Sequence, residues 1–227
     1  SKYKFHLIEL DVNKEDSVSQ AIEKVIANEG HIDVLINNAG FAIAPAGAEE
    51  SSMQQAQAIF DTNFFGAVRM TRAVLPVMRE QKSGLILNIS SILGLLPTPF
   101  GALYSASKHA LEGYSESLDH ELRSQGIRVS LIEPAYTKTS LGINLLEADA
   151  KVSAYDHIRE KLHQHMIKAI NKSDDPSVVA KTILTVINSQ NILPRYTSGK
   201  AARHLKNLRK FAPVKIFDTL IQRSLKV

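Results

Sequence analysis

Residues 85–132 read LILNISSILGLLPTPFGALYSASKHALEGYSESLDHELRSQGIRVSLI. The run Leu85–Ile89 is short, apolar and without alternation, as in a strand buried on both faces. Tyr104–Gln125 has the length and spacing of one long helix, and Gly126 supplies the stop. Ile127–Ile132 is then a second strand-like run. The same alternation continues outward. Upstream, Ser52–Gln81 is helix-rich with a joint near Asp61, Asp33–Ile36 is another apolar strand, Ser17–Asn28 carries Val18, Ala21, Ile22, Val25 and Ile26 at helical spacing, and His6–Val12 reads as a strand. Downstream, Ala148–Asn171 and Pro176–Asn188 read as helices. Strands alternating with helices predict an α/β protein with a parallel sheet flanked by helices.

In such a sheet, ligands bind beyond the carboxyl ends of the strands. Those ends carry Asp11-Val12, Asn37-Asn38-Ala39-Gly40, Ser90-Ser91 and Pro134-Ala135-Tyr136-Thr137-Lys138-Thr139. Every one is small or hydrogen-bonding, which a purely structural sheet does not require.

The 227 residues suffice for one sizeable domain. Apolar residues at 44% and charged residues at 22% describe a globular chain. With no cysteine, disulfides, zinc–thiolate sites and a cysteine nucleophile are excluded. No secretory signal opens the sequence, and a cytoplasmic location is expected. The formal net charge of +4 is unevenly spread: residues 195–227 carry +8, with Asp218 their one acid, and the remainder carries −4. No zinc-finger spacing, basic heptad region or RNP-like motif is present, so nucleic acid is not an expected partner. His163 and His165 lie two apart on a predicted helix and face different ways, so no metal site is expected.

Tyr104 and Lys108 are four residues apart on a predicted helix, on one face and about 6 Å apart along its axis. A free phenol has a pKa near ~10, and a neighbouring ammonium favours the phenolate. The pair can therefore exchange a proton with an alcohol or a carbonyl. By itself the spacing is weak, since chance supplies roughly half a match in a chain of this composition. A second match, Tyr196 to Lys200, contains Gly199, follows Pro194 and reads as a loop.

Context makes the first match specific. The chain contains LDV (10–12), NNAG (37–40), Asn63 in DTNFFGA, ISS (89–91), YSASK (104–108) and a proline-led loop with threonines (134–139). In this order and spacing they resemble the short-chain dehydrogenase/reductase family, over about Leu7 to Asn188. The resemblance implies a Rossmann-like, doubly wound parallel sheet and an oxidoreductase that interconverts an alcohol and a ketone or aldehyde with NADP or NAD. It implies Tyr104 as the acid/base, Lys108 as the cation that lowers its pKa and holds the nicotinamide ribose, Ser91 as the hydroxyl on the substrate oxygen, and Asn63 as the residue whose backbone holds a water in a proton relay. It further implies Asp11 and Val12 at adenine, Asn38, Ala39 and Gly40 beside the adenosine ribose, and Pro134, Thr137 and Thr139 near the nicotinamide. Ala135 stands where the family usually has glycine. Asn37 is expected to brace strands and Ser90 to be structural. A catalytically silent dinucleotide-binding or regulatory protein on the same fold is the alternative.

The family's glycine-rich phosphate turn is not found, and roughly 50 residues of a complete member are expected before Ser1. The catalytic domain is expected over 1–194, with a variable substrate lobe at about 136–172. Leu141, Ile143, Leu145, Leu146, Val152, Ile158, Leu162 and Met166, with the apolar stretch Ile92–Leu103, point to a hydrophobic substrate such as a steroid, retinoid or acyl carbonyl. Family members usually pair through helices corresponding to 61–80 and 104–125, so a homodimer or homotetramer is expected. Residues 195–227 form a basic amphipathic tail with two readings, a solvated helix face or contact with an anionic membrane or partner.

Overall fold

The computed structural model describes residues 5–139 and 145–224. Its described residues build one parallel sheet, β1 (Val34–Asn37), β2 (Gly84–Ile89), β3 (Ile127–Pro134) and β4 (Arg195–Ser198), in that spatial order. Parallel neighbours demand crossover connections. Helix α1 (Glu15–Glu29) precedes β1; α2 (Met53–Phe60) and α3 (Gly66–Gln81) join β1 to β2. Helix α4 (Ala102–Leu122) joins β2 to β3, and α5 (Asp156–Asn171) and α6 (Ser177–Ile187) join β3 to β4. Two further helices, α7 (Lys200–Phe211) and α8 (Val214–Ser224), follow β4.

Side chains alternate across each strand, so the sheet buries two faces. On one, Leu35, Ile86 and Val129 pack against Ile22, Val25 and Ile26 of α1, Val74 and Met78 of α3, and Leu118 and Leu122 of α4. On the other, Leu85, Leu87 and Ile132 pack against Val179, Ile183 and Val186 of α6. Helices on both faces make the sheet doubly wound, as expected.

The long helix ends where the sequence asks it to. After α4 a single 3-10 turn leads to Gly126, whose φ of 77° is left-handed. A Cβ there would lie 2.1 Å from the Lys82 carbonyl oxygen, so glycine is required on steric grounds as well. Asp119, one turn from the end of α4, is buried and accepts hydrogen bonds from Arg123, Arg128 and the Val129 amide at 2.5–3.1 Å. Burial opposes its charge, yet hydrogen bonds from Arg128, Val129 and Arg123 outweigh that and hold the carboxyl below its ordinary range.

Three expectations need correction. Residues 6–12 form no strand. A strand requires a ladder partner, and among the described residues β1 pairs only with β2, leaving Leu7 97% exposed. Second, the helix expected from Ala148 begins at Asp156. The preceding residues are held by tertiary bonds instead: Ala44 donates to the Leu146 carbonyl, Ala150 to the Glu50 carbonyl, and the Asp149 carboxylate accepts from Ser52. These partners outweigh local helix propensity. Third, Tyr196 to Lys200 is not a loop. Arg195–Ser198 pairs with Leu131–Pro134 as the edge strand β4, and Lys200 opens α7. The sheet therefore continues past the expected domain boundary at residue 194. Leu141 and Ile143 lie outside the described residues.

Candidate active site

The catalytic candidates sit at the carboxyl end of β2 and along α4. Ser91 follows β2 in extended conformation, its hydroxyl accepting from the Leu93 amide at 3.1 Å. Tyr104 and Lys108 occupy the first turns of α4, with the Lys108 ammonium 5.8 Å from the centre of the Tyr104 ring. Lys108 is only 5% exposed, and its Nζ donates to the Ile89 carbonyl at 2.8 Å. An ammonium has three donors. Among the described residues no other hydrogen bond engages Nζ, so a buried cation keeps two donors for a ligand.

Asn63 stands behind this pair. It lies in a π-helical turn, Asp61–Phe65, that joins α2 to α3. Such turns shift the backbone hydrogen-bond pattern and recur at functional sites. The Asn63 amide grips the Phe41 backbone from both sides, accepting from its N–H and donating to its carbonyl at 2.9 Å each, and donates to Ser107 Oγ at 3.2 Å. The loop after β1 is thereby fixed against α4. Gly40 passes so close that a Cβ would sit 3.0 Å from Asn63 Oδ1 and 3.8 Å from Lys108 Nζ.

A cleft of about 140 Å³ opens beyond β1 and β2, lined among others by Val12, Asn38, Ala39, Asn63 and Ile89. Three of the expected dinucleotide positions (Val12, Asn38 and Ala39) thus share this cleft with Asn63, and Gly40 passes beside Asn63 and Lys108. Asp11 stands apart: its carboxylate accepts from the Asn13 amide at 3.0 Å and pairs with Lys14, ordering the entry to α1. Asn37 bridges β1 and β2 by donating to Asn88 Oδ1 at 2.8 Å. Pro134 ends β3, and Thr137 and Thr139 lie on the loop after it, which is pinned by the Lys138 amide donating to the Asp174 carbonyl and by Thr137 Oγ1 donating to the Ala135 carbonyl. Among the described residues, neither threonine bonds to the catalytic candidates.

The electrostatics differ from expectation. Burial pushes the Tyr104 phenol up to about 12, opposed by a hydrogen bond with Ser91 and reinforced by nearby Tyr136. Burial also lowers the Lys108 ammonium, to about 8, which leaves it charged at neutral pH while its one hydrogen bond goes to Ile89.

Two side chains that sequence reasoning did not single out stand near the pair. Tyr136 comes from the loop after β3, and nothing in its spacing marks it. Glu112 lies four residues beyond Lys108 on α4, a spacing that could have flagged it. It is buried beside Ser90 and pairs with Arg195 of β4, which also reaches Glu116 at 2.5 Å and Glu133 at 3.2 Å. Burial pushes Glu112 up to about 7.

The family model described as short chain dehydrogenase matches residues 1–150. The chain belongs to the short-chain dehydrogenase/reductase family. It is an oxidoreductase of that class. An oxidoreductase of Schizosaccharomyces pombe is 36% identical over 84% of the chain and 80% of its own length. The 3-ketodihydrosphingosine reductase of Bacteroides thetaiotaomicron is 46% identical over 62% of the chain and 52% of its own length. Retinol dehydrogenase 8 of Bos taurus is 37% identical over 80% and 60%. Among solved structures, a short-chain dehydrogenase from Streptomyces avermitilis superposes with a TM-score of 0.80 at 30% identity, covering 96% of this chain and 79% of that one. Serine dehydrogenase complexed with NADP+ gives 0.68 at 28% identity, covering 85% and 74%.

Proposed function

We propose that this short-chain dehydrogenase/reductase reduces a hydrophobic ketone or aldehyde to an alcohol, and runs the reverse oxidation, using NADPH or NADH, with Tyr104 as the proton donor. The observation that carries the reading is the convergence of a phenol, a hydroxyl and a buried ammonium with two free donors at the carboxyl end of β2. The dinucleotide site fits these residues, because small side chains at Ala39 and Gly40 leave the backbone approachable beside the Lys108 cation. Lys108 would hold the ribose hydroxyls next to the nicotinamide. Asp11, Val12, Asn38, Ala39 and Gly40 would receive the adenosine, and Pro134, Thr137 and Thr139 the nicotinamide end.

When bound, the reduced nicotinamide would supply hydride to the carbonyl carbon. Negative charge then grows on the carbonyl oxygen, where the Ser91 and Tyr104 hydroxyls donate hydrogen bonds. Tyr104 completes the reduction by releasing its proton to that oxygen. A phenol at about 12 is held protonated at neutral pH, which suits a donor. Asn63 keeps the π turn in place, so that a backbone carbonyl there can hold a relay water between bulk solvent and Lys108.

A lipid-like substrate is supported by the apolar run Ile92, Leu93, Leu95 and Leu96 that follows Ser91 directly. It is supported too by relatives whose names specify 3-ketodihydrosphingosine and retinol. Pairing of two copies through α3 and α4 is proposed as well, with the exposed Phe65 at that surface.

The test is to incubate the chain with NADH or NADPH and a panel of long-chain aliphatic, isoprenoid and steroid ketones, following loss of the reduced nicotinamide absorbance. Turnover of an apolar ketone with at least one dinucleotide is expected. Binding of dinucleotide without turnover of any member would favour the silent alternative.

A further inference from the structure

Helices α7 and α8 turn two different surfaces outward and inward. Inward, Leu205, Leu208, Ala212, Phe217 and Ile221 pack on Ile92, Leu96 and Ala135, the residues just past Ser91 and Pro134. Outward, the corner between the helices, Lys210-Phe211-Ala212-Pro213-Val214-Lys215-Ile216, exposes large apolar side chains. Phe211 is 72% exposed, Val214 79% and Ile216 53%. The Lys210 ammonium lies 5.3 Å from the centre of the Phe211 ring, so cation and ring share one surface.

The charges on these helices are largely uncompensated. Lys206 reaches Glu133 at 3.6 Å. Among the described residues, Lys200, Arg203, Arg209, Lys210, Lys215 and Arg223 pair with no carboxylate. Asp218 is the one acid on this whole segment. An apolar tip flanked by Lys210 and Lys215, on helices rich in uncompensated cations, has the chemistry of a helix that lies in a membrane interface, its apolar side chains at the acyl boundary and its ammonium groups among anionic headgroups. A second copy of the chain is a poor occupant, because it would bring the same positive charge face to face.

We propose that the α7–α8 corner docks this enzyme peripherally on an anionic lipid bilayer, with Phe211, Val214 and Ile216 inserted and Lys210 and Lys215 on the headgroups. In that pose the inner faces of the same helices cover the loops that carry Ser91, so the substrate entrance lies near the lipid. Docking requires no catalytic competence and can hold or fail independently of the proposed reaction.

The experiment is co-sedimentation of the full chain with phosphatidylcholine vesicles and with phosphatidylcholine–phosphatidylserine vesicles, at low and high salt. Binding to the anionic vesicles that weakens with salt is expected. A Lys210→Glu, Lys215→Glu double variant should bind at least about 25-fold more weakly, since each basic side chain near such a surface contributes about fivefold. A Phe211→Ser, Val214→Ser double variant should bind about tenfold more weakly. All four residues are exposed, and unchanged melting temperatures verify that the variants fold. Absence of binding to either vesicle, equal binding to both, or wild-type binding by the variants overturns the proposal. So does concentration-dependent self-association in sedimentation velocity that the Phe211→Ser, Val214→Ser variant abolishes while vesicle binding persists, because the corner would then join copies of the chain.

Discussion

At the scale of single residues, the site is a contest between burial and charge. Burial raises Tyr104 and lowers Lys108, shifting each toward its neutral form, yet at about 8 the lysine stays charged at neutral pH. Glu112, one turn beyond Lys108, joins the same contest. Its carboxyl is pushed from 4.5 up to about 7, chiefly by burial, while Ser90 and Arg195 oppose the shift. The folded chain therefore binds a proton at Glu112 that the unfolded chain has already released. Stability should fall as pH rises from about 4.5 to about 7, and level off above that. Replacing Glu112 with Gln should flatten this slope in urea titrations across the window; an unchanged slope would show that Glu112 does not titrate there. That Tyr104 and Lys108 stand together on one helix was legible from their four-residue spacing, whereas Ser91 was singled out only through the family resemblance. The direction of the Tyr104 shift was not legible, because it depends on how deeply the phenol is enclosed and on which carbonyl the lysine meets.

At the scale of elements, helix α4 is held by its far end. Asp119 ties the last turn of α4 to the start of β3 through two arginines and one backbone amide. Asp119→Ala should lower unfolding stability by about 3 kcal/mol, since it strands cations against a buried edge. A carboxyl held below its ordinary range stabilises above the unfolded pKa and loses that contribution as pH falls through its folded value. The variant and the parent should therefore converge in acid; a gap that stays constant down to acid pH would contradict an ionic contribution. Helices with strong apolar spacing, such as α1 and α4, were readable from the sequence alone. The strand reading of residues 6–12 failed because a ladder needs a partner, which local pattern does not reveal. Strand β4 was missed because Pro194 and Gly199 look like loop signals, whereas its four residues are held by pairing with β3.

At the scale of the molecule, distant segments meet beside Tyr104 and Lys108. The loops after β1, β2 and β3 supply Gly40, Ser91 and Tyr136, and the two C-terminal helices roof the segment behind Ser91. Phe217 is the buried centre of that roof, with Arg209 over its ring at 4.8 Å. Phe217→Ala should cost about 3 kcal/mol of stability and raise KM for apolar ketones; a variant as stable as the parent would mean the roof is held elsewhere. The central claim is that this assembly exists to place one phenolic proton at a substrate oxygen. Its most direct measurement compares Tyr104→Phe with the parent in turnover and in dinucleotide affinity, each on the ketone the parent reduces best. Turnover should drop by about 10²–10⁴-fold while dinucleotide Kd stays within about threefold. Turnover within a few fold of the parent would contradict the claim.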